Sequence, residues 1–313
     1  MLVKRAGLPV SEAGRLARKK GTDAFMRQPT AAQTLRELMQ QPDIITLPCC
    51  FDAFSAKLIE RAGFKATFIS GFSSIAARYG LPDMGLISFG EAVEIARPIL
   101  NSLSIPVFVD ADTGYGSAIN IQRTVRTYAR AGAAAVMIED QVWPKRCGHV
   151  QGKQVVGRQE AINRIRAASD ARDHAHDILI LARTDARGTD GLEEALYRAE
   201  AFADAGADIL FVEAPASIQE LETVIKRSPV PSFANMVEDG VTPWLAPQAL
   251  QEIGFTFAAY PLTLLSSCAA TMQQTLAQLQ AGQQASNRLT FSEIKEVLEF
   301  SRFDQVEEKY KTP

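Results

Sequence analysis

Five consecutive positions, Lys145 to His149 within "EDQVWPKRCGHVQGK", hold two cations, a thiol, a glycine and an imidazole. Cationic neighbours lower a thiol from its ordinary pKa of about 8.5, so Lys145, Arg146 and His149 are expected to lower that of Cys147. A thiol in this setting is either a nucleophile or a proton donor. A nucleophile normally comes with a dedicated base and an oxyanion hole. Here the chain supplies carboxylates suited to a divalent ion, together with several cations, a combination that suits making and quenching a carbanion. The thiol is then a general acid, a role worth roughly 10²–10⁴-fold in rate. Gly148 would let the loop backbone approach a substrate carboxylate closely. The plainer reading is a surface loop that happens to be basic.

The second constellation is "DADTGYG". Asp110 and Asp112 are two apart in what reads as a strand, so both side chains would leave one face and could converge on one ion. With Glu139 from the next strand the donor set is all oxygen, which favours Mg²⁺, or Mn²⁺ as a substitute, over zinc. Capping of the turn amides by the aspartates is the alternative. A third reading is a non-catalytic barrel in which Cys147 and His149 bind a soft metal or a partner.

These residues must be held by a scaffold. Short apolar runs alternate with helical segments, the pattern of repeated βα units. The strand candidates are residues 43–49, 65–71, 106–112, 134–140, 177–185, 208–214, 230–236 and 255–261. Their ends are polar almost without exception: Ser70 and Gly71, Asp110 and Asp112, Glu139 and Asp140, Arg183 and Asp185, Glu213, Asn235. Catalytic groups of a TIM-type (β/α)8 barrel sit at the C-terminal ends of its strands, so that fold is predicted. Residues 1–30 read as an N-terminal arm, 31–284 as the barrel, and 285–313 as a helical extension. The extension opens on a capping box of Thr290 and Glu293. Phe291, Ile294, Val297 and Leu298 give it a stripe that calls for a partner surface, on the barrel or on a neighbouring subunit.

With 313 residues, 47% hydrophobic and 22% charged, the chain can bury a substantial core. A net charge of −3 gives no reason to expect nucleic acid. No apolar run reaches the roughly 18 residues of a membrane span, and the N-terminus lacks the apolar core of a signal peptide. Cys49, Cys50, Cys147 and Cys268 form neither a disulfide framework nor a zinc-finger spacing. A cytoplasmic protein is expected.

"KRCGH" preceded by "EDQ", with "DADTGYG", "SGFS", "GLPDMGL", "ARTDA", "VEAP" and "ANM", resembles the isocitrate lyase/phosphoenolpyruvate mutase superfamily over about residues 40–275. The cysteine resembles the lyase branch, that of 2-methylisocitrate lyase, 2,3-dimethylmalate lyase and petal death protein; phosphonate-cleaving members lack it. The resemblance implies an oxo-acid lyase acting on a small anionic di- or tricarboxylate, with Asp110 binding Mg²⁺ and Asp112 and Glu139 holding its waters. Ser70, Gly71 and Phe72 would cradle the substrate carboxylate through backbone amides, and Asp83 would order the site. Lys145, Cys147, Gly148 and His149 would form a lid that delivers the thiol, and Arg183, Glu213 and Asn235 would line the pocket. It also implies a homo-oligomer, tetramer or dimer, with exchanged C-terminal helices. Two departures matter. Phe68 stands where 2-methylisocitrate lyases carry a tyrosine, and Pro261 aligns with the serine of oxaloacetate hydrolases. Oxaloacetate hydrolysis and phosphonate rearrangement are the alternative activities on the same barrel.

Overall fold

Eight parallel strands, each inside or within one residue of an expected segment, follow one another around a barrel. They are β1 (Ile45–Cys50), β2 (Thr67–Ile69), β3 (Val107–Asp110), β4 (Ala135–Glu139), β5 (Leu179–Thr184), β6 (Ile209–Val212), β7 (Phe233–Asn235) and β8 (Phe257–Tyr260). The computed structural model describes residues 29–150, 152–172 and 176–312. The sheet runs β6-β5-β4-β3-β2-β1-β8-β7, and a parallel bridge between Leu210 and Ser232 closes it. The expected (β/α)8 barrel is therefore the observed one; most of the arm at residues 1–30 lies outside the described residues.

The helices are α1 (Ala31–Met39), α2 (Ala53–Arg61), α3 (Gly71–Tyr79), α4 (Phe89–Leu100), α5 (Ala118–Ala131), α6 (Arg158–Asp170) and α7 (Ala186–Thr189). They continue as α8 (Leu192–Asp204), α9 (Ile218–Arg227), α10 (Pro247–Ile253), α11 (Thr263–Gln280), α12 (Phe291–Val297) and α13 (Phe300–Tyr310). The strands alternate strictly. Ala135 and Met137, Leu179 and Leu181, Ile209 and Phe211 point into the barrel, whereas Val136, Ile138, Ile180 and Leu210 pack beneath the helices. That is the period of two of a strand covered on both faces. Several βα units turn on a glycine: Gly132 and Gly206, the centres of two Ala-Gly-Ala turns, have φ of 96° and 98°, a region where a side chain is strained.

α1 was not foreseen as an element. It opens on a capping box of Thr30 and Gln33, and its Ala32 and Leu35 join the barrel-interior cluster. It thus plugs the end of the barrel away from the site, tied there by Arg36 and Thr30 to Asp177 at 2.8 Å each.

The last helix differs from expectation. The Thr290–Glu293 capping box is present, but the chain breaks at Glu299, whose φ of 57° is left-handed, giving α12 and α13 in place of one helix. Val297 of the expected stripe is buried within the same chain, where Lys57 pairs with Glu299 at 2.5 Å. Phe291, Leu298, Phe303 and Val306 are exposed. No helix among the described residues is long and apolar enough to cross a membrane.

Candidate active site

The alternation that fills the barrel also delivers its chemistry. On β4, β5 and β6 the inward positions Met137, Leu181 and Phe211 are followed two residues later by Glu139, Arg183 and Glu213. On β2, β3 and β7, Phe68, Phe108 and Phe233 are followed in the same way by Ser70, Asp110 and Asn235. Each polar residue therefore continues an apolar row past the C-terminal end of the barrel. A cavity there is lined by every expected site residue except Asp112 and Glu139. Cys49, Met137, Phe211, Val237 and Leu262 also line it. Cys49, Met137 and Phe211 are legible only as barrel interior, whereas Val237 and Leu262 lie beyond the expected strands.

Arg183 is the hub of the site. Its Nε and Nη2 donate to Asp185 at 2.9 and 3.0 Å, while Glu213 lies at 3.2 Å, Glu139 at 3.5 Å and the Phe211 ring 5.3 Å below. A buried guanidinium must be met by such partners, and these carboxylates push its pKa well above the ordinary value against the opposing effect of burial. Burial opposes ionisation of Glu213 too, but Arg183 and His149 outweigh it and bring that carboxyl down to about 2. Asn235 Nδ2 lies 3.4 Å from both of its oxygens.

His149 has both ring nitrogens in use: Nε2 faces Glu213 at 2.7 Å and Nδ1 accepts the Val241 N–H at 3.1 Å. An accepting Nδ1 carries no proton, so the hydrogen-bond network assigns the Nε2–H tautomer.

The expected lowering of the Cys147 pKa is not what the geometry gives. Burial pushes the thiol up, as do the Glu213 and Asp83 charges, against a backbone hydrogen bond from His149 and the charge of Arg183. Adjacency in sequence misled here because the cations face elsewhere. Lys145 Nζ is buried between Asp83 at 2.5 Å and Asp112 at 2.8 Å, Arg146 is exposed, and His149 is bound to Glu213. Lys145 therefore anchors the loop instead of charging the thiol. Gln141 holds the same loop by exchanging hydrogen bonds with the Arg146 backbone at 2.8 and 2.9 Å.

The shared-face argument for Asp110 and Asp112 also needs correction. β3 ends at Asp110, and Asp112 sits in the following turn with a φ of 48°. Its N–H donates to Asp110 Oδ1 at 2.9 Å, and its carbonyl accepts the Glu139 N–H at 2.9 Å, so the turn and not the pleat gathers the three. Among the described residues no three carboxylates, thiols or imidazoles lie close enough to ligate one ion together. The donors nonetheless fit a hard, hydrated cation. Burial and the Asp112 charge push the Asp110 carboxyl up to about 6, burial pushes Glu139 well up, and Glu139 Oε1 is buried without a hydrogen-bond partner. Buried carboxylates that burial pushes toward the neutral form, one with an unpartnered oxygen, favour a divalent ion with oxygen and water ligands.

Opposite the thiol lies the N-terminus of α3. Ser70 caps it, accepting the Ser73 N–H at 3.2 Å, while its own N–H is engaged by the Cys50 carbonyl. The expected three-amide cradle is thus reduced to the Gly71 and Phe72 N–H groups, the first two of the helix, which suit a carboxylate. Glycine is required at 71 because a Cβ would overlap the Asp110 carboxylate. Gly148 has a similar reason: a Cβ there would overlap Arg183 and Glu213, which the loop backbone approaches closely.

The sequence profile of the phosphoenolpyruvate phosphomutase family matches residues 35–280. The chain is 38% identical to the 2,3-dimethylmalate lyase of Eubacterium barkeri over 90% of its own length and 99% of that protein's. The chain belongs to the phosphoenolpyruvate mutase/isocitrate lyase superfamily. It is 44% identical to the 2-methylisocitrate lyase of Aeropyrum pernix over 73% of each chain. A solved oxaloacetate acetylhydrolase in complex with 3,3-difluorooxalacetate superposes with a TM-score of 0.86 at 32% identity, covering 90% of this chain and 97% of that one. Within the superfamily the chain is an enzyme of the carbon–carbon lyase type.

Gly148→Ala tests the packing of the loop on the hub. Lyase activity is expected to fall by about 10²-fold, because displacement by a methyl group misplaces the thiol, with the circular dichroism spectrum unchanged. Full activity would show that the loop relaxes around the added carbon.

Proposed function

We propose that the enzyme is Mg²⁺-dependent and cleaves the C2–C3 bond of a 2-hydroxy di- or tricarboxylate of the 2-alkylmalate or 2-methylisocitrate kind, giving an α-keto acid and a carboxylate. The observation that carries this reading is Cys147, a thiol whose pKa burial raises, in a cavity where Lys145 and Arg183 are held by carboxylates. Lys145 and Arg183 are both pushed well above their ordinary values by surrounding carboxylates, so neither releases a proton readily.

The substrate's 2-hydroxy carboxylate binds at the Gly71 and Phe72 N–H groups. Asp110, Asp112 and Glu139 would hold Mg²⁺, which when bound supplies a Lewis acid for the substrate's α-oxygen and carboxylate. Once the hydroxyl proton has passed to solvent, from which the thiolate is later reprotonated, the C2–C3 electrons pass to the departing fragment, which becomes a strongly basic enolate of a carboxylate. The Cys147 S–H delivers its proton to that carbon and is left as a thiolate beside Arg183 and the His149 N–H. The cleavage is closed by this proton transfer, and no covalent bond to sulfur is formed.

The apolar side of the cavity sets the substituent. Phe68 packs on Phe108 and Phe233 at centroid distances of 6.0 and 5.7 Å, and Phe211 and Pro261 extend that wall. A polar substituent there would lose water without gaining a partner. Pro261 also offers no hydroxyl to a hydrated ketone, which disfavours oxaloacetate hydrolysis despite the likeness to the hydrolase. Cys147 itself argues against a phosphonate mutase.

Three outcomes are expected. EDTA should abolish turnover and Mg²⁺ or Mn²⁺ restore it; full activity in metal-stripped protein would sink the metal assignment. Cys147→Ser should lower kcat by roughly 10²–10⁴-fold while oxalate binding, read by calorimetry, is retained, because the alcohol is a far weaker acid. A covalent adduct on Cys147 trapped during turnover would count against the acid role. In a substrate panel, 2-alkylmalates should be cleaved faster than isocitrate, with oxaloacetate hydrolysed slowly. Oxaloacetate as the best substrate would overturn the specificity argument.

A further inference from the structure

Lys153 does not line the cavity, and the reaction above makes no use of it. Its side chain is nevertheless only 7% exposed. A buried ammonium needs oxygen partners to replace its lost hydration. Lys153 Nζ has two: it donates to the Gly148 carbonyl and, at 3.1 Å, to Asp185 Oδ1. Asp185 is the carboxylate that takes both arms of Arg183, and its own N–H donates to Asp140 Oδ1 at 2.9 Å. Asp140 is fixed in turn by Thr184 at 2.7 Å and Arg198 at 3.0 Å. Space for the ammonium comes from Gly188 on α7, where a Cβ would meet Lys153 Cε at 2.8 Å and Nζ at 3.1 Å.

We propose that Lys153 is a positioning residue that ties the Cys147–Gly148 segment to the end of β5, fixing the thiol relative to Arg183. Holding the Gly148 carbonyl holds the peptide unit directly after Cys147, and the Val150 N–H closes the turn on the Cys147 carbonyl at 3.1 Å. Proton delivery to carbon depends on placement, and a displacement of about 1 Å costs roughly 10²-fold. The catalytic consequence rests on Cys147 being the proton donor proposed above; the tether itself does not. A simpler role, neutralising Asp185, predicts something different. Gly188→Ala keeps both charges but displaces the ammonium, so it harms a tether and spares a counter-ion.

The test measures iodoacetamide alkylation of each cysteine by peptide mass spectrometry in the full chain, for the unchanged protein, Lys153→Met and Gly188→Ala. Cys268 on α11 is the reference thiol, and buried Cys49 and Cys50 report on the core. Both variants should label Cys147 about tenfold faster relative to Cys268, a local opening with the core protected. Their kcat for 2-alkylmalate cleavage should fall by about 10²-fold with little change in KM. An unchanged Cys147 rate in Lys153→Met overturns the tether, as does equal acceleration of every thiol, which is loss of fold. Acceleration in Lys153→Met alone overturns it in favour of charge neutralisation. Faster Cys147 labelling in both variants with kcat intact leaves the tether standing and removes the proton-donor reading.

Discussion

The structure of the site follows from an imbalance of buried charge. Asp83, Asp110, Asp112, Glu139, Asp185 and Glu213 gather at the mouth of the barrel against Lys145, Lys153 and Arg183, and His149 carries its proton only on the nitrogen facing Glu213. Carboxylates outnumber permanent cations two to one. Each cation is therefore shared, and sharing is what connects the loops. Lys145 joins the "GLPDMG" loop to the turn after β3, Arg183 joins β4, β5 and β6, and Lys153 joins the thiol segment to β5. Breaking any one of these pairs would leave a buried charge uncompensated, which is far costlier than losing a surface ion pair.

The same imbalance bears on ligands. A di- or tricarboxylate adds negative charge to a cavity that already has an excess, and the helix N-terminus at Gly71 contributes only about half a unit of positive charge. The strain is localised. Asp110 and Glu139 are the carboxyls pushed upward, whereas Glu213, beside Arg183, is pushed down. Positive charge is thus missing on the β3–β4 side and sufficient on the β5–β6 side. In the proposed reaction a divalent cation at Asp110 would add positive charge on that side, and the thiol on the other side would remain free for proton transfer.

How much of this was legible in the sequence depended on the range of the interaction concerned. Strand ends are readable because the period of two is local, and the same period carries Arg183 and Glu213 into one cavity with Glu139 beside Arg183. Asp112 was misread because a left-handed residue looks no different from a strand residue in an alternating segment. Cys147 was misread because adjacent cations were taken as near neighbours, whereas Lys145 turns away to partners far along the chain at Asp83 and Asp112. Asp185 is legible only as a polar strand end, and Lys153 carries no signal. Their meeting requires the loop after β4 to fold back on the end of β5, and Gly188, which makes room for it, looks like any glycine in a turn.

A proton donor to a carbanion must hold its proton until the carbanion exists, and it must be the group that surrenders it then. A thiol in a strongly positive field would lose its proton too early and serve better as a nucleophile. Of the cations nearest in sequence, Lys145 and His149 face carboxylates and Arg146 is exposed, while the thiol itself is largely buried. Burial and the Glu213 and Asp83 charges raise the Cys147 pKa, and both follow from packing and not from the thiol's chemistry. Arg183 and His149 remain close enough to receive the thiolate once the proton has gone. In the proposed reaction the site would keep the sulfur protonated in the resting state while placing groups that stabilise the spent anion, and both properties would depend on holding Gly148 against Arg183 and Glu213.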